Sequence, residues 1–499
     1  MDQLRSMFTK KKGAEDDSGY APVRDERMPL ALEEEDRSSY CSSLQEGELE
    51  DNAGAAPFSW FEYSIFVLIG IAMLWAWNMF MAAAPYFQVR FAQDEFILNT
   101  FQSIIISVST CTNLAAMLVL TNIQYSASYP FRINTALFIN VAVFALLTAS
   151  TSIFLNIYTD WYLLFLVIMV AGSAWACGLL QNGAFAYAAS FGRPEYTQAI
   201  MAGQGIAGVL PPLAQMLTVL VFPTPPAPAP SPPSGSALVG VGPRHVMAPD
   251  YDVVAKAGTA AFYYFLTAVV ISVATLVAFQ PLMRRHDRIV ENRMASALAE
   301  SMASIEDAER AARKVVSLKT LFFKLHWHAL AVFTCFAVTM FFPVLTPKVL
   351  SVRQPTDNSA ASPLPIILQP PAFIPLAFFF WNLGDLLGRM STMLRVPEVL
   401  QRRPALLFAF GIARLLFLPL YLLCNVGGRG AVISSDLFYL LLVQLPFGFS
   451  SGWLSASSMM TAGDWVEDGE REAAGGFMGL CLVAGLATGS FLSFSVTHL

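Results

Sequence analysis

The chain has 499 residues, of which 55% are hydrophobic and 13% charged, and its mean hydropathy is +0.54. Soluble domains carry about 25% charged residues, so the length does not translate into three water-soluble domains. The first 56 residues hold 14 of the 36 acidic and 7 of the 30 basic groups. The near-neutral remainder excludes the concentrated basic face of a nucleic-acid binder and points to an all-α polytopic membrane protein.

Segment 1–57 is rich in Ser, Glu, Asp and Gly and poor in aromatics, so it buries too little apolar surface to offset ordering and reads as a disordered acidic tail. No apolar stretch follows Lys10, Lys11 and Lys12, which argues against a signal peptide. Two short strings in the tail, Tyr20-Ala-Pro-Val23 and Glu26-Arg-Met-Pro-Leu30, are similar to sorting signals.

From Phe61 onward, eleven apolar stretches are long enough to cross a ~30 Å hydrocarbon core. They cover 61–87, 97–121, 131–154, 161–190, 196–222, 257–281, 326–350, 370–394, 404–425, 435–461 and 473–497. A Pro/Gly/Ser loop, Phe222–Pro249, separates the fifth from the sixth, and a charged loop over 282–325, with helical character around Ser296–Lys314, follows the sixth. This predicts a first group of helices over 58–281 and a second over 326–499. With the N-terminus in the cytoplasm, inner loops hold 15 basic residues and outer loops 6, nine of the inner ones in the 284–324 region. The positive-inside bias supports that orientation and puts Leu499 outside or in a lumen. No Asn-x-Ser/Thr sequon offers a second check. The cysteines show no paired spacing, so no disulfide framework or metal site is expected, and no cofactor.

Polar groups at membrane depth are costly and therefore candidates for function. In the eighth span, Asn382, Asp385 and Arg389 fall one turn apart on a single helix face. An amide, a carboxylate and a guanidinium in one stripe suit vicinal hydroxyls, and a buried ion pair that locks packing is an equal alternative. In the fourth span, Gln181-Asn182 offers amides that can donate and accept at once, suited to the edge of a heterocyclic base or to pinning two helices. The first span carries Trp75, Trp77, Asn78, Met79 and Met81, a stacking face with adaptable thioethers. Gly203-Gln-Gly205-Ile-Ala-Gly208 fits a dinucleotide fingerprint in letters only. It lies within an apolar helix and not after a strand, so a small-residue packing face at Gly203, Gly205 and Gly208 is the better reading.

These strings together resemble the equilibrative nucleoside transporter family. Trp77-Asn78-x-Phe80-Met81 is similar to its first-helix motif, and Tyr196-Thr197-x-x-x-Met201-x-Gly203-Gln204-Gly205-x-x-Gly208 to its fifth. Asn382-x-x-Asp385-x-x-Gly388-Arg389 is similar to the eighth-helix motif, and Gly452-Trp453-Leu454 to the tenth. The acidic tail and the lack of sequons look more like a fungal member. The resemblance implies a major-facilitator-like fold of eleven transmembrane helices in two bundles, six and five, around a cavity for nucleosides and, in some members, nucleobases. It also implies that Trp77, Met81 and Gln181 face the base and that Asp385 and Arg389 face the ribose. Asn382, Phe378, Phe342 and Leu454 would line the cavity. Three departures stand out: Ala76 where the family has Pro, Cys177 one turn before Gln181, and an acidic last loop (Asp464, Glu467, Asp468, Glu470, Glu472) where basic residues are common.

No second buried acid or nucleotide-binding loop is evident, so facilitated diffusion of a nucleoside through a lipid bilayer is the expected activity. Proton coupling through Asp385, or transport of a sugar or drug on the same architecture, is the alternative. An enzyme is the poorest fit, because His245, His286, His326, His328 and His498 lie in loops or at helix ends, and only His326 and His328 are close. Oligomeric state and base preference are not legible. A plasma membrane and a vacuolar or lysosomal membrane both remain open.

Overall fold

The computed structural model describes residues 58–123, 128–154, 157–221, 251–300, 316–353, 365–394 and 403–493. The acidic tail with its two sorting-like strings, the Phe222–Pro249 loop, residues 301–315 of the charged loop and the end of the eleventh span lie outside the described residues.

The first six long helices are α1 (Trp60–Ala82), α2 (Glu95–Asn122), α3 (Tyr129–Ile153), α4 (Thr159–Ser190), α5 (Pro194–Val221) and α6 (Tyr251–Glu300). Five more follow: α7 (Leu318–Thr339), α8 (Pro370–Ser391), α9 (Pro404–Ala413), α10 (Leu445–Thr461) and α11 (Arg471–Ser493). Short helices extend α1 to Arg90 and carry α9, through a 3-10 turn at Arg414–Leu416, on to Leu422. Polar caps start several of them: the Ile97 N–H donates to Asp94 (3.0 Å), Phe131 to Ser128 and Thr320 to Ser317.

Ten helices among the described residues are long and apolar enough to span a bilayer. The expected tenth span is helical but falls outside those ten. It begins as a π-helical stretch, Phe438–Gln444, and α10 carries Ser450, Ser451, Ser455, Ser457 and Ser458. Pro446, which has no N–H to give to the preceding turn, accounts for the altered pitch. The sixth span also differs from expectation. Hydropathy ends it at residue 281, yet α6 stays helical through Pro281 to Glu300, because the charged stretch beyond is rich in Ala, Glu, Arg and Met, all strong helix formers.

The helices are apolar on nearly every side, as bilayer immersion requires. On α3, Phe131, Phe138, Leu146 and Ile153 form an exposed stripe at seven- to eight-residue spacing, while Ile133, Ala136, Leu137, Phe144 and Leu147 are buried behind it. Within the first six helices, α1 packs on α5 and α6, and α3 lies against α4 and α6. In the last five, α8 packs on α10, and α7 packs on α9, α10 and α11. The two groups meet where α5 touches α8 and α10, and where α11 touches α2 and α4.

The apolar cores show how the groups are joined. One cluster mixes both groups: Ile65, Phe66, Tyr187 and Tyr196 with Met459, Phe477 and Met478. These residues sit at the end of the molecule where α1, α5 and α11 begin. At the opposite end each group has its own buried core, and Met216 of α5 packs at the edge of the second one. Phe80, Phe87, Phe144, Tyr162 and Phe265 belong to the first six helices, and Phe342, Phe373, Tyr421, Tyr439 and Phe447 to the last five.

Candidate functional site

Close glycine packing positions the polar stripe of α8. A Cβ on Gly384 would stand 2.2 Å from the Leu445 carbonyl oxygen, and one on Gly388 2.2 Å from that of Phe449. Reciprocally, a Cβ on Gly448 would stand 1.9 Å from the Trp381 carbonyl oxygen, and one on Gly452 1.9 Å from that of Asp385. Two G-x-x-x-G faces therefore interlock, bringing the backbones of α8 and α10 together. On α5, Gly203 meets α1 at the Val67 carbonyl, while Gly205 lies against Leu386 and Gly208 against the Asn382 side chain of α8.

Asp385 and Arg389 are both buried. Arg389 Nε donates to Asp385 Oδ2 at 2.7 Å. Its Nη1 donates to the Met201 carbonyl at 2.9 Å and to Gln204 Oε1 at 3.1 Å, and Gln198 Nε2 donates to the Arg389 carbonyl at 3.1 Å. Asp385 Oδ1 is buried and has no hydrogen-bond partner among the described residues, and the same holds for Trp381 Nε1 one turn away. A stranded buried polar group costs about 1–3 kcal/mol, more when charged, so the unmatched acceptor of Asp385 and the unmatched donor of Trp381, one turn apart on α8, call for a polar ligand.

Contacts run from this pair back to α4. Gln204 Nε2 lies 2.9 Å from Met73 Sδ on α1, and Cys177 Sγ lies 3.7 Å from the Met73 carbonyl oxygen. Gln181, one turn from Cys177, is buried and makes no hydrogen bond among the described residues. Asn182 is committed instead: Arg132 donates to its Oδ1, and its Nδ2 donates to Thr121 Oγ1 at 3.4 Å. Trp77 and Met81 are half-buried on one face of α1. Trp77 packs against the separate core of the first group, Asn78 donates to the Ala207 carbonyl at 2.7 Å, and Trp75 to Thr267 at 3.1 Å. From the Met73–Cys177 contact, Trp77 and Gln181 diverge by one turn each in opposite directions, about 11 Å apart along the helices.

Asn382 donates to the Phe378 carbonyl at 2.8 Å and points its Oδ1 at Gly208. Phe342 stacks on Trp381 at 4.1 Å and meets Phe378 edge-on at 5.0 Å. Leu454 is not brought to this site. It is fully buried with Ala331, Cys335 and Leu407 inside the second group.

Four residues that matter here were given no role in the sequence reading, although Gln204 stood in the fifth-helix motif. Gln204 and Gln198 hold Arg389, and Trp381 supplies the unmatched donor. Arg414, lone and fully buried, donates to the Cys335 carbonyl (2.7 Å), Thr339 (3.1 Å) and Ser450 (3.2 Å), with its guanidinium 5.0 Å from the Phe447 ring. It ties α7 and α10 at the break after α9. The signals existed: a glutamine between two packing glycines, and an arginine within an apolar run. The acidic last loop is paired locally, with Lys324 on buried Glu470 at 2.6 Å and Arg471 on Asp468 at 2.9 Å.

The profile of a family described as nucleoside transporter matches residues 166–229 and 233–498. The chain belongs to that family. It is 27% identical over 470 residues to the nucleoside transporter FUN26 of Saccharomyces cerevisiae, covering 87% of this chain and 83% of that one. It is 24% identical over 487 residues to human equilibrative nucleoside transporter 1, covering 86% and 95% respectively. Among solved structures, it is similar to the major facilitator superfamily transporter FucP in its outward conformation, with a TM-score of 0.47, 12% identity, and coverage of 88% and 96%. The protein is a multi-pass membrane protein and not an enzyme.

Proposed function

We propose that the chain carries nucleosides down their gradient by alternating access, with one substrate held by both helix groups. The observation that carries this reading is the buried Asp385 Oδ1, which has no hydrogen-bond partner among the described residues, with the likewise unmatched Trp381 Nε1 one turn away on α8: an acceptor and a donor for ribose hydroxyls. Arg389, whose Nη1 donates to Gln204 and the Met201 carbonyl, keeps its charge beside Asp385 at the ribose end. Gln181 offers its unengaged amide to the base, and Trp77 and Met81 offer apolar faces to the ring. Phe342, Phe378 and Asn382 flank the ribose end.

The cores support the rocking motion. They are joined at one end and separate at the other, so the pathway is closed where α1 begins. With the N-terminus in the cytoplasm, as the basic loops favour, this state is closed to the cytoplasm. The tail's sorting-like strings fit a vacuolar or lysosomal-type membrane.

Uptake of labelled uridine, adenosine, hypoxanthine and glucose into proteoliposomes of the purified chain tests the proposal. Nucleoside uptake that stops at equal inside and outside concentrations, with or without a pH gradient, is expected. Accumulation driven by the pH gradient would replace facilitated diffusion with proton coupling, and flux of glucose alone would overturn the substrate.

A further inference from the structure

A cleft of about 510 Å³ opens between the starts of α7 and α9, away from the substrate site. Its polar lining is Lys324, Arg403, His326 and His328, and its aromatic lining is Trp327 and Trp465. Lys324 is spoken for by Glu470 at 2.6 Å, whereas exposed Arg403 makes no ion pair among the described residues. His326 Nδ1 is 2.9 Å from the Phe323 carbonyl oxygen, which leaves its other nitrogen free. His328 is 1% exposed, yet its Nε2 has no hydrogen-bond partner among the described residues. With its proton on Nε2, His328 presents a buried unmatched donor in a cleft with an unpaired guanidinium, a combination that suits an anionic hydrogen-bond acceptor.

The surroundings specify what carries that anion. Trp327, Leu406 and Phe323 are 40%, 44% and 66% exposed. They lie next to the cationic lining at the end of a spanning helix, where tryptophan marks the boundary between headgroups and hydrocarbon. A ligand filling this cleft therefore has an anionic head and an apolar body. A soluble anion would leave the aromatic and aliphatic wall uncovered. In the orientation favoured by the basic loops, the cleft faces the leaflet that carries anionic lipids, where basic pockets between spanning helices take phosphate headgroups.

We propose that this cleft binds the phosphate headgroup of an anionic phospholipid through Arg403 and His328, with the acyl chains lying along Trp327 and Leu406. Lys324, neutralised by Glu470, forms the rim. The site is separate from the nucleoside site, so binding is read without reference to transport.

The test is lipid binding to the full chain, purified in detergent, measured by native mass spectrometry against phosphatidylinositol, phosphatidylcholine and inorganic phosphate. Phosphatidylinositol should bind more tightly than phosphatidylcholine, and Arg403→Gln should reduce that preference about fivefold, the weight of one basic residue near a membrane surface. Arg403 is exposed, so this variant keeps its fold. His328→Gln, which retains a donor, should lose less than His328→Phe. Equal binding of the two lipids, or an unchanged preference in Arg403→Gln, would overturn the proposal. Displacement of phosphatidylinositol by millimolar inorganic phosphate would reduce the site to one for a soluble anion and overturn the lipid assignment.

Discussion

Adjacent residues on α4 take opposite roles. Asn182 caps a buried network: Arg132 donates to it and to the Leu120 and Ile123 carbonyls, which closes the end of α2. Gln181 has no such partner. Asn182→Ala should therefore remove one of the three acceptors of buried Arg132 and lower stability by about 1–3 kcal/mol, read as a fall in melting temperature. Gln181→Ala should leave melting nearly unchanged while weakening nucleoside binding by about tenfold. Equal thermal losses in both variants would make Gln181 a structural residue. The dipeptide was visible in the sequence as polar groups at membrane depth, but its division of labour was not, because Arg132 lies 50 positions away. Leu454 shows the same limit. Its motif was readable, but its inward packing is against Ala331, Cys335 and Leu407 of two other helices, far away in sequence.

At the scale of elements, the closest packing is α8 on α10. Gly448→Ala or Gly452→Ala would drive a methyl into a backbone carbonyl on α8, and strain of this kind costs about 1–3 kcal/mol. Both variants should lose folded protein, measured by size-exclusion chromatography after solubilisation. Gly463→Ala is the control, since nothing lies within 4 Å of the added methyl. Gly205→Ala meets the Leu386 side chain and Cα at 3.1–3.3 Å and should fall between them. If Gly452→Ala behaves like Gly463→Ala, the interlock is not what holds α8. Helix existence was legible from hydropathy alone, since apolar length is dictated by the bilayer. Helix ends were less so: α6 outruns its apolar stretch, because helix propensity continues after hydrophobicity stops. The pairing of 384/388 with 448/452 was not legible either, because a G-x-x-x-G string names a face and not its partner.

At the scale of the molecule, one buried core at one end takes residues from both groups, while at the other end each group keeps its own, with Met216 of α5 packed at the edge of the second. Which end is closed is a property of the packed state and leaves no mark on composition or periodicity. The seam at the closed end runs between Arg193, Pro194 and Thr197 on one side and Met460, Asp464 and Arg471 on the other, around a space of only about 40 Å³. If alternating access operates here, a cysteine at Thr197 should react slowly with an impermeant thiol reagent applied from the cytoplasmic side. Its rate should rise when uridine is supplied and the seam opens during the cycle. A rate indifferent to uridine, in a protein that transports it, would place the moving contact elsewhere.

The bridge between the two groups is tested most directly by competition binding of a ribonucleoside and its 2′-deoxy analogue. Purified wild-type protein is compared with the double variant Asp385→Asn, Arg389→Gln. Removing both charges together avoids the penalty of leaving one buried charge unpaired. If Asp385 and its neighbours read the sugar, the deoxynucleoside should bind about tenfold more weakly than the ribonucleoside in the wild type, the cost of one stranded buried polar group. In the double variant the two should bind nearly alike. A ratio unchanged by the double substitution, with both ligands weakened equally, would contradict sugar recognition at Asp385 and Arg389 and leave the pair a lock between α5 and α8.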